Sequence, residues 1–278
     1  NAGWAIDELE VYIPTQNSAA PIEIGTRENI PVPDQDNHIT VKIQNTGAKF
    51  SDSVLVQYDI NNSGNWTSPE LVVLQPKLAP GGSRLYEFLD IWDAPPSGSY
   101  QICVVTSRPN AKQDNLTVDD TLCSTIVIPD KIIMANDSSH CNNFEDPTVT
   151  PWLVRNSFYV SGGLFSWSEG TPNQAPILSA NSGNNAWMTD LTANYRQRDS
   201  SALHTPFFVL DSGVTYKMSF MHNYSTELYH DGGSVEVSHD GGITWYTVGD
   251  RLPTGNWFSH DAITSLDVIR PGWSGNSN

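Results

Sequence analysis

Positive charge is what this chain has least of. Of its 278 residues only 14 are Lys or Arg, against 31 Asp or Glu, for a formal net charge of −17. An acidic surface repels phosphate, which excludes nucleic acid and anionic membranes as partners while favouring divalent cations. No apolar run approaches the ~20 residues that a spanning helix needs, so membrane insertion is not expected. The opening NAGWAIDELEVYIP has neither the basic start nor the apolar core of a signal peptide, and reads as a mature or internal piece of a longer precursor. Chemical motifs are missing as well: there is no G-x-S-x-G, no H-E-x-x-H and no Walker-type loop, and the seven His are scattered. No enzyme activity is expected.

What is present is aromatic and β-rich. Aromatic residues make up 10% of the chain, with nine Trp, which argues against disorder, and the length suits two domains of ordinary size. In HDGGSVEVSHDGGITWYTVG, Val235 and Val237 and then Ile243, Trp245 and Tyr246 alternate about Asp240-Gly241-Gly242, the pattern of a β-hairpin in which Asp240 caps its own turn. Tyr216, Met218, Phe220 and His222 give a further alternating strand, and Leu203 to Leu210 another. Upstream, ITVKIQNTGAKFSDSVLVQYDI has the strand, Asn-x-Gly turn, strand layout of an immunoglobulin-like sandwich. The expected fold class is all-β, antiparallel throughout.

Three Cys remain to be placed. Cys103 and Cys123 lie in the strands flanking a polar loop, Arg108 to Asp120, and face each other if the hairpin turns near Gln113. Two readings stay open, a cross-strand disulfide or two buried thiols. A bridge there points to an oxidising compartment, outside the cell or at its surface. Cys141 is left over and pairs, if at all, with something beyond this segment. The aspartates of the loop, Asp114, Asp119 and Asp120 in DNLTVDDT, lack the spacing and glycine of an EF-hand and read as a solvated turn.

Two families enter on particular residues. Asn45-Thr46-Gly47, Leu78-Ala79-Pro80-Gly81-Gly82 and Pro96-Ser97-Gly98-Ser99-Tyr100 together resemble the cell-adhesion-related CARDB-like domain of surface proteins, an immunoglobulin-like sandwich over 21–130. NNFED at Asn142 to Asp146, GNNAWMTDLTANY at Gly183 to Tyr195, SSALHTPFFVL and the VEVS-DGG-TW hairpin resemble MAM-like jelly rolls of secreted bacterial proteins. That likeness covers 140–278, with NNFED as the first strand. GWAIDELEV, in 1–13, resembles the closing strand of the same jelly roll. The expected order is therefore a closing strand at 1–13, a linker at 14–20, the sandwich at 21–130, a linker at 131–139, and an incomplete jelly roll at 140–278.

The MAM resemblance implies a structural calcium. Hard cations want several oxygen ligands, and the positions that match are Glu145, Glu227, Asp231 and Asp7, the last acting on whichever domain its strand completes. His222, Glu227, His230 and Asp231 have the wrong spacing for a zinc helix and read as surface groups. Glu145, Glu227 and Glu236 are candidates for a glycosidase pair only if they converge, and otherwise read as solvated carboxylates. Among the tryptophans, Trp66 and Trp257 sit in polar turns and are the expected exposed contacts for surface glycans.

Together these features predict a non-catalytic, adhesive or filament-forming repeat segment of a large secreted bacterial surface protein, with neighbouring repeats or copies of itself as partners. Type IX secretion often accompanies such modules. Two arrangements stay open for the stray strand: a window cut from a tandem array, or donation of Trp4 to Ile13 into a neighbour's jelly roll. The alternative function is an accessory, carbohydrate-binding region of a secreted peptidase or glycosidase.

Overall fold

The computed structural model describes residues 15–28, 30–114, 116–135, 139–147, 152–156, 167–197, 199–249, 257–264 and 270–277. The chain is all-β and divides into two compact units, Asn1–Ile128 and Pro129–Asn278.

Among the described residues of the first unit, seven strands form a β-sandwich: β1 (Ala19–Thr26), β2 (Ile39–Asn45), β3 (Ser51–Ile60), β4 (Glu70–Leu78), β5 (Ser83–Glu87), β6 (Gly98–Ser107) and β7 (Thr121–Ile128). One sheet has the order β1-β2-β5 and the other β4-β3-β6-β7, all pairs antiparallel, which is the layout of an immunoglobulin-like sandwich. Period-two alternation decides what is inside. Ile39, Val41 and Ile43 of β2 meet Val54 and Val56 of β3, Val72 and Leu74 of β4, and Ile102 and Val104 of β6, all buried. Each such side chain contributes about 1.5–3 kcal/mol on leaving water. Phe88 fills the middle, edge-on to Tyr58 at 4.9 Å and to Tyr86 at 5.7 Å.

The three short motifs of this unit each have a packing role. The Asn45 amide donates to the Gly82 carbonyl at 2.9 Å, and the Gly81 amide returns to the Asn45 carbonyl at 2.8 Å. The Asn45 side chain donates to the carbonyls of Lys49 and Leu78, both at 2.8 Å, so one asparagine ties three chain segments together. Gly47 has no room for a Cβ, which would meet the Ser18 amide at 2.7 Å. Tyr100 folds back to donate its hydroxyl to the Pro96 carbonyl at 2.8 Å, while Trp92 stands edge-on to its ring at 4.9 Å.

The segment expected as a linker, 14–20, is no free tether where it is described. Ser18 is buried, its carbonyl accepts the amides of Thr46 and Gly47, and β1 has already begun at Ala19. The cause is the Asn45–Gly47 turn, whose orphan amides need acceptors. On edge strand β4, the Arg84 guanidinium donates to the carbonyls of Gln75 at 2.5 Å and Pro76 at 3.1 Å.

The second unit is built from short ladders. Strand β8 (Lys131–Ile133) runs parallel to β13 (Phe207–Val209), and β9 (Leu153–Asn156) pairs with β12 (Ser201–His204). Strand β10 (Trp167–Gly170) pairs with β11 (Ala186–Thr189), β14 (Glu236–Val237) with β15 (Tyr246–Thr247), and β16 (His260–Ile263) with β17 (Arg270–Gly272). Several expectations change here. The stretch 131–139 opens with a strand rather than a linker, because Lys131–Ile133 finds a ladder partner, and that pair makes the chain not purely antiparallel. Leu203 to Leu210 splits in two at Thr205-Pro206, since proline cannot donate to a ladder. NNFED is not a strand: Phe144 sits at φ 64° and the Asn142 side chain accepts its amide. Among the described residues, no strand and no ladder partner is found for the Tyr216–His222 stretch either.

Among the described residues, the large apolar side chains fully buried in this unit are Phe258 and Ile263. Phe208, Val209, Leu210, Val214, Met218, Phe220, Val237, Ile243 and Tyr246 remain exposed.

Candidate functional site

The disulfide joins Cys103 of β6 to Cys123 of β7, which are register partners. It closes the loop that the sequence presents as a solvated turn, and that turn is in fact anchored. Asp114 is buried; its Oδ2 accepts the Ala19 amide at 3.2 Å and its Oδ1 the Leu116 amide at 2.9 Å. Oδ1 of Asp119 and Oδ1 of Asp120 are buried without a partner. Burial first, then the charges of Asp114 and Asp119 and a hydrogen bond to Asp114, push the Asp120 carboxyl up to about 6. Sequence spacing could not find this, because the group that holds Asp114 is a backbone amide 95 positions away.

The carboxylates that the jelly-roll likeness nominated for calcium do not gather. Glu145 turns its Oε1 to the amides of Asn184 at 2.8 Å and Asn185 at 2.7 Å, which closes the turn at Gly183. Gly183 has φ 65°, and a Cβ there would collide with that same carboxylate. Asp231 Oδ2 accepts the Tyr195 hydroxyl at 2.7 Å, and burial together with this bond raises the tyrosine's pKa. Glu227 is exposed; its carbonyl accepts the amides of His230 and Asp231. Among the described residues, no group of three or more His, Cys, Asp or Glu is arranged to hold a metal ion. Asp7 lies outside the described residues.

The glycosidase candidates fare no better. Glu236 forms an ion pair with Arg270, and Glu145 is committed to its turn. Asp240 accepts from the Thr244 hydroxyl and amide and from the Ser238 hydroxyl, which holds its carboxyl far below the usual range and fixes the β14–β15 hairpin. His222 is exposed as expected but lies against two rings, Trp273 at 4.5 Å and Phe220 at 5.3 Å, and partial desolvation lowers its pKa.

Of the two tryptophans expected at a surface, Trp66 is 41% exposed. Trp257 is half-buried instead, in a cluster with Phe220, Phe258 and Trp273 at 6.1–6.2 Å, because a ring that size gains by apolar company. A residue the motifs did not flag, Tyr229, is more than half exposed beside His260. Its signal is the backbone: φ 66° in a bulky residue.

Among the described residues no helix is long and apolar enough to cross a membrane. No family model and no curated protein matches the chain. Among solved structures, the chain is similar to the CARDB domain of a Pyrococcus furiosus protein in complex with di-metal ions, at 17% identity over 44% of this chain and 97% of that one, with a TM-score of 0.32. It is likewise similar to a domain of a putative cell surface protein from Methanosarcina acetivorans, at 24% identity over 42% of this chain and 92% of that one, also with a TM-score of 0.32. The immunoglobulin-like assignment of the first unit rests on its own strand order and core.

Proposed function

We propose that this chain is a non-catalytic structural and adhesive segment of a large secreted bacterial surface protein, in which the second unit is completed by a β-strand from a neighbouring repeat or copy. The observation that carries this reading is the contrast inside the second unit: Phe208, Val209, Leu210, Met218 and Phe220 face water while Phe258 and Ile263 are buried. Exposed apolar surface on this scale is the mark of a contact surface. The Cys103–Cys123 bond suits an oxidising, extracellular setting. The occupant we favour is a strand like Trp4 to Ile13, in which Trp4 and Ile6 and then Leu9, Val11 and Ile13 alternate on either side of an irregularity near Glu8.

The test is amide hydrogen exchange of the intact chain with and without a synthetic peptide spanning residues 1–13. New protection at 207–210 and 216–222 is the expected result. Unchanged exchange there at saturating peptide would sink strand completion and leave the apolar face to another partner.

A further inference from the structure

Among the described residues, the two sheets of the first unit end in β1 and β5 and in β4 and β7. Three of these edges are guarded. Strand β1 carries Pro21 and Glu23, β5 carries Arg84 and Glu87, and β4 carries Pro76 and Lys77 with the Arg84 guanidinium laid against it. Proline and charge keep an edge from pairing with a passing strand. Strand β7 has neither: from Thr121 to Ile128 it reads TLCSTIVI.

Its free backbone groups are assigned residue by residue. The Thr106 amide donates to the Asp120 carbonyl at 2.9 Å, one step beyond the register pair of Val105 with Thr121. Bonded and non-bonded positions alternate along an antiparallel ladder. Leu122, Ser124, Ile126 and Ile128 therefore turn amide and carbonyl toward β6, while Thr121, Cys123, Thr125 and Val127 turn theirs away. The disulfide agrees, since Cys103 and Cys123 have Cα atoms 4.0 Å apart, the close spacing of a non-bonded pair. The four outward-turned residues are all exposed, and no described residue bonds to their outward amides or carbonyls. Strand β1 lies beside β7, but its ladder is with β2.

We propose that β7 is a self-association edge, which pairs antiparallel with β7 of a second copy of this chain and joins the two β4-β3-β6-β7 sheets into one. Charge singles out that occupant. A chain of net charge −17 repels its own copies, and along TLCSTIVI two of them meet with no carboxylate opposed. Symmetry singles it out again. A twofold axis at Ser124 sets Thr121 opposite Val127 and Cys123 opposite Thr125, so each outward amide and carbonyl of one copy meets its complement on the other. The same register opposes Leu122 to Ile126, and such aliphatic and β-branched pairs are those that ladders favour. At the ends of the run it brings Asp119 and Asp120 of one copy near Asp130 of the other, so salt strengthens the pairing by screening them. The contact lies in the first unit and stands independently of strand completion in the second, which is read at 207–222.

The test is sedimentation velocity of the intact chain from micromolar to submillimolar concentration, with amide exchange followed at both ends of that range. One short ladder is a small interface, so a dimer is expected toward the upper end, tightening as salt is raised. The amides of Thr121, Cys123, Thr125 and Val127 should gain protection with concentration, and those of Leu122, Ser124 and Ile126, already bonded to β6, should not. Thr125→Pro deletes an outward amide and Thr125→Lys sets a charge beside the twofold, and each should weaken association roughly tenfold or more. Val73→Lys makes the same change of charge on an exposed side chain of β4 and should not weaken it. No gain of protection at the four amides, association that both Thr125 variants leave unaltered, or equal weakening by Val73→Lys would overturn the assignment. So would protection that appears only on adding a peptide spanning residues 1–13, which gives the edge a different occupant. If Thr125→Pro does not fold, Thr125→Lys decides.

Discussion

Asp114 and Ala19 lie 95 positions apart, and the Asp114 carboxylate accepts the Ala19 backbone amide at 3.2 Å. The carbonyl of Ala19 accepts the Thr106 hydroxyl at 2.6 Å, and the Thr106 amide donates to Asp120 at 2.9 Å. The first residue of β1 is therefore clipped on both its polar groups, by β6 and by the loop that the disulfide closes.

Removing the clip should be costly. Asp114→Ala leaves a buried amide without an acceptor and is expected to destabilise the first unit by about 1–3 kcal/mol. Asp114→Asn, which keeps an acceptor oxygen, should lose less. Urea unfolding followed by Trp92 fluorescence measures both.

The same cluster sets a pH dependence. Folded Asp120 keeps its proton up to about 6, whereas an unfolded aspartate releases it near 4. Between those values the folded state binds more protons, so the Asp120 contribution is fully present below about pH 4 and is lost as pH rises through 6. Asp52, held down by Lys77, and Asp240, held down by Thr244, work in the opposite direction and lose their contribution on acidification. Calorimetry should thus find a stability maximum near about pH 4, where the two slopes cancel. Asp120→Asn should raise Tm at neutral pH by a few degrees and flatten the decline above the maximum.

Opening the Cys103–Cys123 bond, which closes a loop with a sequence separation of 20, is expected to cost the first unit about 3 kcal/mol by freeing its unfolded chain. The core of Ile39, Val41, Val54, Val56 and Ile102 lies away from the bond and should still hold the sandwich together. Equilibrium unfolding of the Cys103→Ser, Cys123→Ser double variant, compared with wild type, provides the measurement.

In the second unit the turn at Gly183 should tolerate nothing larger. Gly183→Ala meets the Glu145 carboxylate and a φ of 65°, and is expected to destabilise by more than about 1 kcal/mol. Glu145→Ala orphans the amides of Asn184 and Asn185 and should speed their hydrogen exchange, with or without added calcium. A calcium-dependent recovery of protection in wild type alone would return Glu145 to the list of metal ligands.

Sequence reading reached furthest where the cause is local. The strand, Asn-x-Gly turn, strand layout of 39–60 is written in that stretch alone, and the turn chemistry of Asp240 needs nothing beyond Thr244 and Ser238. The registers of β6 and β7 follow from a loop folding about its middle, which brings Cys103 opposite Cys123. What the residues could not disclose was partnership at long range. Tyr216 to His222 alternates as a strand should, but period two states which face a residue takes and not whether a ladder lies beside it. Asp114 looked solvated because its partner is an alanine's backbone, which has no signature. Trp257 sits in a polar turn, yet Phe220 and Trp273 draw it in. Glu145 matched a calcium position in residue type, and the amides of Asn184 and Asn185 took both bonds of its Oε1 first.

The guanidinium of Arg84 laid across the carbonyls of Gln75 and Pro76 bears on what that edge of the sheet offers to another strand. An open sheet edge is a template that any passing strand can copy, and many sandwiches held side by side at a surface would meet that hazard continually. At Pro76 there is no amide to offer, and the acceptors nearby are already satisfied from within. Copies brought together at high concentration would meet a closed margin at that end of β4 and would not be knitted to one another there.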